Sequence, residues 1–173
     1  MMAIPQWHPM AVHFPLALVL TATILLSAAR LVRRERHAAT LATVGTWNLC
    51  LGAAAALGAL GTGLAAVANL NVGPAAHGAV SLHLRWAFFS TLVLLLLAVW
   101  RGAGCAQESR PSWAFLIVLL AGSAALVVTG YRGGQNVYRY GIGVASFQPF
   151  AQGPEITSAL PRARDRLSQN LQN

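Results

Sequence analysis

Four long apolar stretches alternate with short segments rich in arginine, glycine or proline. They cover residues 11–31, 41–70, 79–100 and 112–130. About 20 apolar residues in a helix cross the roughly 30 Å hydrocarbon core of a bilayer. The pattern therefore predicts four transmembrane helices. The second stretch is longer than a crossing needs, so we expect it to tilt or to project beyond the bilayer.

A cleavable signal peptide is the alternative interpretation of the first stretch. Ser27, Ala28 and Ala29 resemble the small residues of a cleavage site. A secretory signal, however, carries basic residues before its apolar core. No lysine or arginine precedes Arg30. We therefore expect this stretch to be a transmembrane helix.

Composition agrees with a membrane protein. Of the 173 residues, 56% are hydrophobic and 9% are charged, whereas about 25% of residues are charged in a soluble domain. The predicted fold class is all-α, a polytopic membrane protein with a four-helix transmembrane bundle. We expect one transmembrane domain, residues 1–144, and a polar C-terminal tail, residues 145–173. The tail is expected to be a docking segment or a disordered end.

All twelve basic residues are arginines, and they are unevenly distributed. Arg30 lies at the end of the first stretch, and Arg33, Arg34 and Arg36 follow it before the second, while Arg101 and Arg110 lie between the last two. Because cytoplasmic loops carry the excess of basic residues, both termini are expected outside, on the periplasmic side of a bacterial inner membrane. The net charge of +8 lies at membrane borders and carries no nucleic-acid recognition motif. We therefore expect lipid, and no nucleic acid, as a partner.

The two helical hairpins resemble each other. His8 and His13 open the first span. His77 and His83 open the third, 69 and 70 residues later (77 − 8 and 83 − 13). This spacing predicts two repeated hairpins related by a twofold axis along the membrane normal. The first and third spans would face each other across the bundle, with His13 and His83 at similar depth.

Small residues spaced four apart mark the second span. Ala54 lies four residues before Gly58, and Gly61 lies four before Ala65. Lipid provides no hydrophobic force between helices, so small residues favour association by allowing backbones to approach closely. We expect this face to pack against a neighbouring helix.

The histidines are the candidate chemistry, because ionisable groups inside a membrane are usually functional. Pro9 favours extended geometry at His8, which makes His13 the better buried ligand and His83 its counterpart in the repeat. Two histidines on facing helices of a bundle can hold b-type haem without a covalent bond. His8 and His77 are expected to form a second ligand pair or to hydrogen-bond to the first.

Several arginines are candidate partners for the carboxylates of a haem. Arg85 follows His83 by two residues, just inside the membrane, where it needs an anionic partner such as a propionate. Arg132 and Arg139 follow the last span and could bind propionates, lipid headgroups or an acidic partner. The segment around them, from Tyr131 to Val144, is rich in glycine, which permits tight turns.

Copper is the alternative metal. His8, Met10 and His13 combine imidazole and thioether groups, which suit that ion. The sequence contains no hydrolytic triad, phosphate loop or paired catalytic carboxylates, so we expect a non-catalytic subunit of a redox complex. No histidine pair lies near the cytoplasmic ends of the spans, which confines any redox role to the outer face.

Two motifs resemble a known family. The segment HPMAVHFP begins at His8, and GGQNVYRYGIGV begins at Gly133. Together they resemble the DUF2231 family of predicted four-helix bacterial membrane proteins. The resemblance covers roughly residues 5–144 and implies haem binding in a setting with cytochromes c. Family sequences often have histidine where this chain has Gln135 and Tyr140, which leaves the four histidines of the odd spans as candidates.

The expected function is that of a cytochrome b-like electron-transfer subunit at the periplasmic face. It would exchange electrons between quinol and a periplasmic c-type cytochrome or dehydrogenase. The alternative is a cofactor-free membrane anchor that recruits a periplasmic redox partner through its arginines and tail. A pigment spectrum of the purified protein separates the two.

Overall fold

The computed structural model describes residues 7–69, 72–102 and 110–144. The helices are α1 (Trp7–Ala11), α2 (His13–Leu31), α3 (Glu35–Asn69), α4 (Pro74–Gly102) and α5 (Trp113–Tyr140). Since α1 and α2 form one span, four helical spans are long and apolar enough to cross a membrane. The predicted fold class is confirmed. The C-terminal tail lies outside the described residues.

The break between α1 and α2 is explained by Pro15. Its ring collides with the carbonyl four residues earlier, that of Ala11, and it has no amide hydrogen to donate there. Val12 keeps helical angles (φ −66°, ψ −19°) at the break, and its amide donates to the carbonyl of His8 over 3.1 Å. His8 therefore lies in a helical turn, although the sequence predicted an extended residue.

The four spans form a ring in which each packs on the next. α2 packs on α3, α3 on α4, α4 on α5, and α5 on α2, while α1 packs on α3 and α2. The backbones of α2 and α4 make no contact, nor do those of α3 and α5, so each pair lies across a diagonal. The first and third spans thus face each other across the bundle without packing side by side.

Small residues of α3 let α2 approach closely. Its buried stripe follows spacings of three and four residues: Ala42, Gly45, Leu49, Gly52, Ala56 and Ala59. This periodicity keeps one helix face on its partner. A Cβ added at Gly52 would lie 2.8 Å from Cγ2 of Val19. The second hairpin repeats the contact, where a Cβ at Gly122 would lie 3.0 Å from Cγ1 of Val93.

The small residues singled out in the sequence lie on another face of α3. Ala54, Gly58 and Gly61 are exposed, and a Cβ on either glycine would meet nothing within 4 Å. Ala54 follows Gly52 by two residues, which is about 200° of helical rotation, so the two cannot share a face. The prediction that this face packs inside the bundle is wrong.

The last helix continues well past the predicted end of its span. It runs through the glycine-rich segment to Tyr140 and ends at Gly141, whose φ of 64° is left-handed. Glycine is the usual residue at such a helix end because it has no Cβ to clash. The extension carries Arg132 and Gly133 on helical backbone, where the sequence predicted turns. These residues lie at the histidine end of the bundle, defined by α1, the start of α4 and the end of α5.

The opposite end, called the loop end, carries arginines in two different settings. Arg110 forms an ion pair with Glu35 over 2.8 Å and donates to the carbonyl of Arg33 over 3.2 Å. Arg101 is buried, and its Nε donates to the hydroxyl of Thr46 over 3.2 Å. These contacts join the two loops and the ends of α3 and α4.

Gly52→Ala should destabilise the bundle. Its Cβ would press on Val19, a β-branched residue with little rotamer freedom in a helix, and such overpacking costs about 1–3 kcal/mol. Gly58→Ala is the matched control, since open space there leaves only the higher helix propensity of alanine, worth up to about 1 kcal/mol. Unfolding of the two variants in detergent measures the difference. Equal stabilities would contradict the packing described for α2 and α3.

Candidate functional site

Two histidines from opposite spans meet at the histidine end. The rings of His8, on α1, and His83, on α4, have centroids 6.4 Å apart and planes inclined by 71°. Both side chains are half-buried. Because their helices lie across a diagonal, the two rings occupy the interior of the bundle. We call them the histidine pair.

A backbone carbonyl fixes each ring. Nδ1 of His8 lies 3.0 Å from the carbonyl oxygen of Ala59 and 3.2 Å from the hydroxyl of Thr62. Nδ1 of His83 lies 3.1 Å from the carbonyl oxygen of Thr129. A carbonyl only accepts, so Nδ1 carries the hydrogen and donates it. In the neutral imidazole the lone pair is then on Nε2, which leaves that nitrogen of both rings free to bind a ligand.

A glycine stands four residues after each acceptor carbonyl. Gly63 follows Ala59, and Gly133 follows Thr129, on α3 and α5. A Cβ at Gly63 would lie 2.9 Å from Cε1 of His8, and a Cβ at Gly133 would lie 3.1 Å from Cε1 of His83. A Cβ at Gly63 would force the imidazole of His8 to shift, and a Cβ at Gly133 would crowd that of His83. The absence of a side chain therefore permits each hydrogen bond, and these glycines are site residues that the sequence reasoning missed.

Equivalent residues in the two halves of the site are not all separated by the same number of positions in the sequence. The acceptor carbonyls and the glycines are each 70 residues apart (129 − 59 and 133 − 63), whereas the paired histidines are 75 apart (83 − 8). The second hairpin is thus five residues shorter between its histidine and its acceptor. That difference explains why a constant offset matched His83 with His13.

The other two predicted histidines lie outside the pair. His13 is exposed at the start of α2. His77 is exposed too, and its Nε2 lies 2.7 Å from the carbonyl oxygen of Val72, a local contact. Met10 is 61% exposed. Within the described ranges, no group of three or more His, Cys, Asp or Glu side chains is placed to hold a metal ion.

Arg132 is the basic residue next in sequence to one of the two site glycines. It precedes Gly133, and its guanidinium carbon lies 6.0 Å from the ring centroid of Trp86. Its Nε is buried and has no hydrogen-bond partner among the described residues. A buried donor of this kind favours an acceptor supplied by a ligand.

The other two predicted arginines lie elsewhere. Arg85 follows His83 by two residues, about 200° around the helix, and is exposed on another face of α4. Arg139 is exposed, with its guanidinium 6.0 Å from the ring centroid of Tyr140.

Hydroxyl groups connect α4 and α5 beneath His83. The hydroxyl of Ser90 lies 3.2 Å from that of Thr129, and Thr129 also donates to the carbonyl of Ala125 over 2.8 Å. Both side chains are buried. This contact holds the two helices together at the residue whose carbonyl orients His83.

The comparisons with known proteins give one match. The DUF2231 family of predicted membrane proteins matches residues 5–146. The chain belongs to this family. The match includes the histidine pair, both site glycines and Arg132, so the candidate site of this DUF2231 protein lies inside the family region. No curated protein and no solved structure matches the chain.

Gly133→Ala should break the hydrogen bond of His83. The new Cβ displaces the ring from the Thr129 carbonyl, whereas Gly134→Ala, with nothing within 4 Å of its Cβ, should leave it in place. Nitrogen NMR of protein labelled at histidine reports which ring nitrogen is protonated. We expect the Nδ1–H form at His83 in the wild type and the Gly134 variant, and a mixture of tautomers in the Gly133 variant. Identical His83 spectra in all three proteins would argue against the contact.

Proposed function

We propose that this DUF2231 protein holds b-type haem between His8 and His83 and serves as an electron-transfer subunit. The observation that carries the proposal is the 6.4 Å separation of the two ring centroids. A histidine nitrogen binds a metal ion at about 2.0 Å, so two rings this close together could hold one metal ion between them. His8 and His83 would then be the residues that hold the iron of the haem.

The surroundings of the pair also fit this cofactor. Histidines that bind metals usually donate their other ring nitrogen to a carbonyl or carboxylate, which orients the ring and makes the ligating nitrogen more basic. Here Ala59 and Thr129 supply those carbonyls. Gly63 and Gly133 keep side chains off the rings, and Arg132 offers a buried donor for an anionic group. His8 and His83 are thus the residues proposed to hold the iron.

Haem in such a site would supply a one-electron couple of iron. The chain's own contribution is to hold both imidazoles at one end of the bundle, with Nδ1 hydrogen-bonded to a carbonyl and Nε2 free. The fifth histidine, His37, is exposed in the first turns of α3 at the loop end, so the opposite end has no second pair. We therefore propose electron exchange at the histidine end only. Quinol, which releases two electrons and two protons on oxidation, is the proposed donor, and a periplasmic c-type cytochrome or dehydrogenase is the proposed partner.

The absorption spectra of variants at the histidine pair distinguish this function from that of a cofactor-free anchor. Protein produced with ample haem should show a Soret band, and His8→Ala or His83→Ala should abolish or shift it because one axial ligand is lost. His37→Ala is the control and should leave the band unchanged.

His13→Ala tests the assignment of the ligands. The band should survive this change, since the His13 side chain is exposed. A band lost in this variant and kept in His8→Ala would transfer the ligand role to His13. Colourless wild-type protein would support the anchor function instead.

The proposed setting is a bacterial inner membrane with both termini in the periplasm. Arginines gather at the loop end, which is typical of the cytoplasmic side. Reporter fusions after Asn173 and between Val32 and Ala39 should therefore show opposite locations, with the first outside. A cytoplasmic signal from the C-terminal fusion would reverse the orientation and move the histidine pair to the cytoplasmic face.

A further inference from the structure

Arg132 is held in a setting that requires an acceptor. Its Nε is shielded from solvent and has no hydrogen-bond partner among the described residues. The contact with Trp86, at 6.0 Å, is a cation–π interaction that orients the planar group without satisfying its N–H donors. The position thus provides an aligned donor for an anion.

Carboxylates of the described chain do not reach this position. The sequence has four acidic residues: Glu35, Glu108, Glu155 and Asp165. Glu35 begins α3 at the loop end and pairs with Arg110. Glu108, Glu155 and Asp165 lie outside the described residues. An acceptor at Arg132 therefore has to come from outside the described part of the bundle.

The backbone places Arg132 next to the histidine pair. Its neighbour Gly133 lies against the ring of His83, where an added Cβ would be 3.1 Å from Cε1. The guanidinium rests on Trp86, three residues after His83 and therefore one helical turn further along α4. The guanidinium of Arg132 and the ring of His83 are therefore connected through neighbouring residues, Gly133 on α5 and Trp86 on α4.

We propose that Arg132 binds a propionate carboxylate of the haem and so fixes its orientation between the two histidines. This inference rests on the proposed haem site. A guanidinium is suited to the role because it donates two parallel hydrogen bonds to a carboxylate. Stacking on Trp86 restricts the guanidinium before the cofactor arrives, which lowers the entropic cost of binding.

The test compares haem with its dimethyl ester, in which both carboxylates are uncharged. Both compounds are titrated into full-length apoprotein in a maltoside detergent, which has no phosphate to compete for the arginine. Wild type should bind haem about tenfold more tightly than the ester, the size expected for hydrogen bonds to a charged group. Arg132→Gln should bind both compounds with nearly equal affinity. Arg36→Gln, an exposed arginine at the loop end, is the control and should keep the preference.

The outcomes separate this inference from the haem proposal. Equal binding of both compounds by the wild type would overturn the role of Arg132 without contradicting ligation by the histidines. This comparison uses the wild type alone, so it does not depend on the folding of a variant. A preference that survives in Arg132→Gln would assign the carboxylate to another residue and overturn the inference as well. A wild type that binds neither compound would overturn the haem site itself.

Discussion

The arrangement of the histidine end depends on one hydrogen bond, made twice. Burial of an imidazole restricts the access of water to its N–H donor, and leaving a buried donor unpaired costs free energy. The acceptor in each hairpin is the carbonyl of Ala59 or Thr129, on the helix that packs against the histidine's own helix. A carbonyl has two lone pairs, so it can accept from the imidazole as well as from its helical amide. The bond defines which ring nitrogen is free and the direction that each ring takes.

That bond in turn requires a particular backbone. The amide that normally donates to the Ala59 carbonyl is that of Gly63, and for Thr129 it is that of Gly133. Glycine leaves room for an imidazole beside that amide, whereas an added Cβ would lie only 2.9 or 3.1 Å from the ring. Glycine lowers helix stability by about 1 kcal/mol relative to alanine. The tertiary packing of α3 and α5 offsets this cost, since most helical stability in proteins comes from packing.

Hydrophobic pattern predicted the spans well, because membrane thickness leaves few alternatives for stretches of this length and composition. The hydrophobic pattern did not predict the details of the site, which depend on local features of the chain. Proline rules predicted an extended His8, yet the break caused by Pro15 leaves one helical turn before it, and that turn carries His8 to α3. A single repeat offset matched His83 with His13, because a five-residue difference in hairpin length cannot be read from spacing alone. The sequence named both Arg85 and Arg132 as candidates. Arg85 lies about 200° around α4 from His83 and is exposed, whereas Nε of Arg132 on α5 is buried.

The two halves of the site are similar but not equivalent. His8 sits on a helix of only five residues, cut off from α2 at Val12, whereas His83 is within the long continuous helix α4. His8, on this short helix, has a second hydrogen-bond acceptor, because its Nδ1 also lies 3.2 Å from the hydroxyl of Thr62. That hydroxyl donates its own hydrogen to the Ala59 carbonyl over 2.9 Å, so it can only accept from the imidazole. His8, on the short helix, thus has two acceptors from α3, whereas a single carbonyl of α5 accepts from His83.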